Sequence, residues 1–322
     1  MNNETPTKPD LKTTIAALEE GAAGGKPFAK IFYGLSDLNA REVAQMKAVW
    51  QTLDTDYREK LARQIAEISE SDYEMDYQGI GMMLLDDPTP EVRIAGIDTL
   101  WSDESIPLMR RLMVMAQQDP AIEVQAAAVS ALGRFILMGE LGDLDENEAV
   151  KAQKIAIQLW KNEQLDLDVR RRALEAIANC GHEIVPGAIR QAYRSDEERM
   201  KVSAVFAMGR TYDEQWSEIV LKEIDSDQAA MRYEAARAAG ELELIEAVPK
   251  LAQLLIEDDD EIAAVAIWSL GEIGGREAMR ALEAMLEVAE ENDDQEMIEA
   301  IEEALGNASL AGSGLFDWQD VK

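Results

Sequence analysis

The stretch DDPTPEVRIAGIDTLW (86–101) returns along the chain as QDPAIEVQAAAVSALG (118–133), LDLDVRRRALEAIA (165–178), DEERMKVSAVFAMG (196–209), DQAAMRYEAARAAG (227–240) and DDEIAAVAIWSLG (259–271). Aligned, these copies place an apolar anchor at Val92, Val124, Val169, Met200, Met231 and Ile262, at intervals of 32, 45, 31, 31 and 31 residues. A weaker copy anchors at Met297. Between copies lies a second short amphipathic stretch, three times with Pro near its start: SIPLMRRLM (105–113), EIVPGAIRQAY (183–193) and EAVPKLAQLL (246–255). Self-similarity at such a period marks an array of small units that bury their apolar faces on one another. Each unit reads as two helices joined by an acidic turn, whose Asp or Asp-Pro is expected to cap the helix that follows. Few residues read as strand.

The pattern D-P-x-x-E-V-R-x-x-A-A-x-A-L-G followed by A-V-P-x-L-x-x-L-L resembles the short HEAT-like repeat, of the subtype found in phycobilin lyases and many bacterial proteins. The resemblance covers roughly residues 86–308 and implies an all-α fold, a right-handed α-solenoid of about seven HEAT-like helix pairs. The whole chain is also similar to bacterial HEAT-repeat proteins, a likeness that brings no activity with it. Residues 28–85 have helical periodicity without the motif and are expected to form a divergent helical cap. Residues 1–27 hold one amphipathic stretch, LKTTIAALEE, bounded by Gly-rich sequence, and read as a mobile amino-terminal segment. The tail 309–322 carries Leu315, Phe316 and Trp318 behind a Ser/Gly hinge and is expected to fold back over the last repeat.

Helix geometry sorts the repeat positions by face. With the anchor at zero and about 100° per residue, positions +4, +5 and +8 share the buried arc; in the fifth copy they are Ala235, Ala236 and Ala239. Position +1 lies in the same arc yet holds Arg93, Arg170, Lys201 and Arg232, so these cations must be paired. The resemblance implies the turn Asp of a neighbouring repeat as the partner. This cation ladder lapses at Ala263 and Ile298, so the last repeats are expected to be held less specifically.

Positions +2, +3, +6 and +10 fall on the opposite arc. In HEAT-like solenoids this helix lines the concave surface, which makes the row Arg134, Arg171, Arg172, Phe206, Arg210, Tyr233, Arg237 and Trp268 a candidate partner-binding groove. Arginine interleaved with aromatic rings is the composition of interface hot spots, and suits a peptide or protein surface carrying carboxylates and apolar anchors.

Charge narrows the choice of partner. The 322 residues include 31 Lys plus Arg against 64 Asp plus Glu, a formal charge of −33. Nucleic acid requires a continuous basic surface and is therefore excluded. No apolar run long enough to span a membrane passes without charge, and the amino terminus has no secretory pattern, so a cytoplasmic protein with no membrane contact is expected. The charge is uneven: residues 241–322 hold 22 acids and 4 bases, whereas 161–210 hold 8 acids and 9 bases. An acidic carboxyl-terminal lobe steers a basic partner, or serves solubility alone.

Chemical sites are scarce. His182, Cys180 and Glu183 share the turn NCGHEIV, but no second His closes a zinc site. Iron enzymes built on HEAT-like repeats use His-Glu pairs on groove-facing helices; the matching pair here is Tyr233-Glu234, in which tyrosine replaces the ligand. GDLDENEAV (142–150) opens like a calcium loop but lacks its glycine and terminal glutamate, and reads as an acidic insertion behind the 45-residue interval. No catalytic residue, cofactor or metal is expected. The sequence therefore points to a non-catalytic protein-binding scaffold or adaptor. The alternatives are a bilin lyase-like or isomerase-like accessory subunit, implied by the repeat subtype alone, and an acidic chaperone for a basic client.

Overall fold

The computed structural model describes residues 8–24, 29–72 and 74–311. Among these residues every regular element is helical. The chain divides into two compact units, 1–176 and 177–322.

In the first unit the helices are α1 (Leu11–Ala22), α2 (Ala29–Leu35), α3 (Ala40–Trp50), α4 (Thr55–Ser71), α5 (Gln78–Leu84), α6 (Pro90–Thr99), α7 (Ile106–Gln118), α8 (Ile122–Leu141), α9 (Glu146–Lys161) and α10 (Leu167–Ile177), the last ending at the boundary. The second unit holds α11 (Val185–Tyr193), α12 (Glu198–Arg210), α13 (Ser217–Glu223), α14 (Ala229–Glu241), α15 (Val248–Leu254), α16 (Asp260–Ile273), α17 (Gly275–Glu291) and α18 (Gln295–Ala311), with a short 3-10 turn ahead of α13 and of α15. Pro107, Pro186 and Pro249 sit in the first turns of α7, α11 and α15, where the missing N–H costs no helical bond.

The repeat anchors open the even-numbered helices, and these stack in series within each unit: α4 on α6 and α6 on α8, then α12 on α14, α14 on α16 and α16 on α18. Small residues at the contact bring the backbones close. A Cβ placed on Gly240 would stand 2.9 Å from Ser269 Cα, and one on Gly271 would stand 2.9 Å from Ala304 Cα. Ser269 Oγ donates across this seam to the Ala236 carbonyl at 2.8 Å. The stack continues onto α18 although the cation ladder has lapsed at Ala263, which is itself buried. In the last copy the +5 position, Ala236 or Ile267 in the copies before, is the exposed Glu302.

Three expectations are corrected by this architecture. Residues 11–22, part of the segment read as mobile, form α1, capped by Asp10, and Leu18 is fully buried in one core with Ile31, Leu35, Met46 and Leu61. Their apolar stripe has a core to enter, which composition alone does not reveal. The 45-residue interval is no inserted loop. α8 has 20 residues against 13 in α12, and α9 has 16 against 9 in α11, so the surplus lengthens two helices joined by a tight turn at Gly142 (φ +85°). Asp145 in the supposed calcium-like loop N-caps α9, accepting from the Asn147 and Glu148 N–H groups. The turn aspartates of the first two copies are not N-caps. Asp87 and Asp119 instead accept the backbone N–H two residues on, from Thr89 at 2.9 Å and Ala121 at 3.0 Å, freezing the turn itself.

The same aspartates receive the ladder. Arg93 makes a two-pronged contact with Asp119, Nε to Oδ2 at 2.9 Å and Nη2 to Oδ1 at 2.6 Å. Arg232 repeats it with Glu257 in the acidic turn ahead of α16, at 3.0 and 2.8 Å. Arg170 departs from the pattern: it lies over the Trp160 ring and points Nε at that residue's carbonyl. The ladder also extends one helix further toward the amino terminus than the motif does, since Arg58 of α4 donates to Asp87 at 2.6 Å. α8 is the one described helix long and apolar enough to cross a bilayer, yet it packs against α6, α7 and α9 and buries Val124, Leu132 and Phe135 among them. The segment 312–322, with Leu315, Phe316 and Trp318, lies outside the described residues.

Candidate functional site

The eight candidate groove residues fall into two groups, one in each unit. Arg134, Arg171 and Arg172 line a hollow of about 590 Å³ in the first unit, together with Glu70, Asp98 and Trp101. Tyr233, Arg237 and Trp268 line one of about 580 Å³ in the second, together with Glu241, Glu261 and Val265. Phe206 and Arg210 flank this second hollow through their contacts with Arg237 and Glu241.

Helix periodicity builds the second hollow. Tyr233, Arg237 and Glu241 lie four residues apart on one face of α14, and Glu261, Val265 and Trp268 share the facing stripe of α16. Trp268 is 38% exposed and Val265 closes the floor beneath it. Tyr233 is half-buried.

The arginines are already bonded within the chain. Arg237 gives Nε to Glu234 at 2.9 Å, Nη1 to Glu241 at 2.7 Å and Nη2 to the Phe206 carbonyl, while its guanidinium stacks 4.1 Å above the Phe206 ring. Arg210 bridges one repeat in each direction. Its Nε and Nη2 hold Asn179 Oδ1, and its Nη1 reaches Glu241 Oε1 at 3.1 Å. Position +10 is thus a ladder of its own, Asn179 to Arg210 to Glu241, each step spanning 31 residues. The carboxylate of Glu241, only 6% exposed, takes both arginines on Oε1, and its buried Oε2 has no hydrogen-bond partner. That oxygen lies over Gly209, where a Cβ would stand 2.3 Å from it.

In the first unit Arg134 is bonded through both Nη groups, while its buried Nε has no hydrogen-bond partner. It donates to the carbonyls of Leu100, Trp101 and Asp103, closing the end of α6, and burial lowers its pKa against the opposing pull of Asp103 and Glu104. Arg171 is tied to Asp168 at 2.6 Å and Arg172 to the buried Glu175 at 2.6 Å, all one turn apart on α10. Across the hollow, desolvation and the neighbouring Glu70 raise the Asp98 carboxyl above its ordinary value. Each arginine of the row already has acceptors in its own chain, and in the second hollow the exposed charge is the acid Glu261.

Residues 217–306 match the family model for HEAT repeats. Over those residues, α13 through most of α18, the helix pairs are HEAT-like. No curated protein sequence is significantly similar to the chain. Among solved structures, human deoxyhypusine hydroxylase is 16% identical, with 93% of this chain and 97% of that one covered and a TM-score of 0.37. The YibA protein of Escherichia coli is 14% identical over 95% of this chain and 99% of that one, with a TM-score of 0.40. An engineered protein is 17% identical over 93% and 88%, also with a TM-score of 0.40. Each likeness is remote, and none carries a residue role to this chain.

The residues with reactive side chains do local work. The His182 ring accepts the Ile184 N–H through Nδ1 at 3.2 Å, and the buried Cys180 thiol donates to the Ile177 carbonyl. Tyr233 and Glu234 stand side by side on α14, with Glu234 engaged by Arg237. Among the described residues no three His, Cys, Asp or Glu side chains converge as metal ligands do. Of the residues lining the second hollow, motif reasoning missed Glu261. Glu241 and Val265 occupy groove positions +10 and +3, so their register was readable; Glu261 lies one residue ahead of its anchor.

Proposed function

We propose that this chain is a non-catalytic protein-binding scaffold that engages its partner through the anchor-bearing helices of its HEAT-like repeats, with the hollow between α14 and α16 as the principal contact. One observation carries the reading: Trp268, an indole that could have been buried, stands exposed beside Tyr233 over a preformed hollow, on a wall held rigid by the Glu234, Arg237 and Glu241 network. A large ring presented on a braced helix face is how interface anchors are arranged, because little conformational freedom remains to be lost on binding. The chain's charge of −33 argues for a protein or peptide rather than a nucleic acid as the partner.

The experiment is capture of partners from the native lysate with the full chain and with Trp268→Ala. A hot-spot loss of about 2 kcal/mol or more is expected for the partner, at unchanged fold, because the exposed ring is not core. If Trp268→Ala retains the same partners at the same affinity, the scaffold reading through this face is wrong. Elemental analysis of protein purified without chelator is expected to find no stoichiometric metal. One tightly held iron or zinc per chain would overturn the non-catalytic half.

A further inference from the structure

We infer that the hollow between α14 and α16 receives a cationic side chain, Arg or Lys, from a basic segment of the partner protein. This rests on the scaffold reading and names the chemistry of what is bound. It reverses the charge logic of the sequence pattern, in which the arginines of this row were to meet carboxylates.

The charges lining the hollow and bonded to its wall leave one acid unmatched. Arg210 and Arg237 are matched by Glu234 and Glu241, through contacts of 2.7 to 3.1 Å. Those four charges cancel. Glu261 remains, exposed on the rim, and among the described residues no cation pairs with it. Behind it runs the acidic turn Glu257, Asp258, Asp259 and Asp260, of which only Glu257 is engaged by an arginine, Arg232. The local field is therefore negative, although an arginine lies in the wall.

The second observation concerns shape and rings. The Trp268 indole is exposed on the same stripe of α16 as Glu261, two turns away, with Tyr233 facing it from α14. A cation lying over an indole face while its N–H groups reach a carboxylate satisfies both the ring quadrupole and the charge. An anion there would face Glu261 and find the charge of both nearby arginines already matched by Glu234 and Glu241. A purely apolar anchor would leave Glu261 beside it to be desolvated unpaired.

The test titrates the full chain with a capped hexa-arginine peptide at physiological salt, following tryptophan fluorescence and calorimetry, with capped hexa-glutamate as the opposite-charge probe. Hexa-arginine is expected to bind and hexa-glutamate not. Trp268→Ala should weaken hexa-arginine about tenfold, Trp268→Phe should restore most of the loss, and Glu261→Gln should weaken it several-fold. The double variant Glu302→Gln/Glu303→Gln removes twice the charge from the exposed face of α18 and should change affinity less than twofold. Melting curves of all variants are compared, and Trp268→Phe keeps the ring arm readable if Trp268→Ala unfolds. Equal weakening by the α18 variant and Glu261→Gln would reduce the binding to diffuse attraction and overturn the inference. So would indifference of hexa-arginine to Trp268. If that indifference coexists with a native partner still lost on Trp268→Ala, the cation falls and the scaffold stands; if the partner is indifferent too, both fall.

Discussion

The two compact units build the same ladder contact at different depths. In the first unit Arg58 and Asp87 are 8% and 2% exposed, and Asp87 also accepts the Trp50 indole N–H at 2.8 Å and the Thr89 N–H of its own turn. In the second, Arg232 meets Glu257 with 20% and 27% exposure, and the acceptor belongs to a turn of consecutive acids. An aspartate is short enough to brace its own turn and receive the arginine at once. The longer glutamate reaches the arginine but leaves the turn to others. The same motif therefore carries more structural weight near the amino terminus, where the loss of either partner strands a buried charge.

The largest expected effect breaks this comparison at its deep end. Arg58→Ala leaves Asp87 buried against one indole N–H and one amide, and should cost about 3 to 5 kcal/mol, the range for stripping one member from a buried pair. Arg232→Ala should cost about 1 kcal/mol, because both partners see solvent and water replaces the contact. Hydrogen exchange over α4 and α6 for the first, and over α14 and α16 for the second, reads the two losses locally, which matters in a chain of two units. Equal losses would mean that burial does not set the weight of the ladder.

Arg58 also marks where legibility ended. The array was readable because the anchor, the small residues and the turn recur at nearly constant spacing, and helix stacking imposes that spacing physically. α4 kept the +1 arginine but replaced the aliphatic anchor with Tyr57 and the Asp-Pro turn with Leu-Asp-Thr-Asp, so the ladder was present without its motif. For the candidate site, register was legible and engagement was not. Periodicity placed Tyr233, Arg237 and Trp268 on facing stripes, and the structure puts all three around one hollow. What periodicity does not encode is which acceptor each arginine takes. Arg134 bonds to main-chain carbonyls, which are present at every residue and leave no mark in a sequence. Arg210 takes acceptors 31 residues away on both sides, a pairing that appears only when position +10 is read down the copies as Asn, Arg, Glu.

A middle-sized effect separates stacking from electrostatics in the second unit. Gly240→Ala places a methyl 2.9 Å from the Ser269 backbone, and α14 and α16 must part to admit it. Overpacking of this kind costs about 1 to 3 kcal/mol, partly offset by the better helix propensity of alanine. The expected net destabilisation exceeds that of Arg232→Ala, which would make close backbone approach the stronger bond between these repeats. A neutral Gly240→Ala would reverse that ranking. Because the α14–α16 seam also frames the hollow, hexa-arginine affinity measured on the folded fraction should fall with it.

The smallest effect sharpens the contrast between successive rungs of the +10 ladder. Arg210 neutralises Glu241, but the next rung, Glu272, faces Glu243, and desolvation followed by that like charge raises its carboxyl above the ordinary value. A carboxyl whose folded-state value exceeds its unfolded one weakens the fold when ionised. The penalty is complete at pH above the raised value, shrinks as pH falls through the interval between the two, and is absent below the ordinary value. Glu272→Gln removes it. At neutral pH and low salt the variant should be more stable by a few tenths of a kcal/mol, a rise of about 1 °C in Tm. The gain should vanish when both proteins are measured below the ordinary carboxylate range, and it should diminish in concentrated salt as the Glu243 contribution is screened. Glu241→Gln makes the opposite change on the preceding rung, since there the charge holds two arginines, and it should destabilise at neutral pH. If both substitutions shift Tm in the same direction, the alternation of paired and unpaired rungs along position +10 has no energetic content.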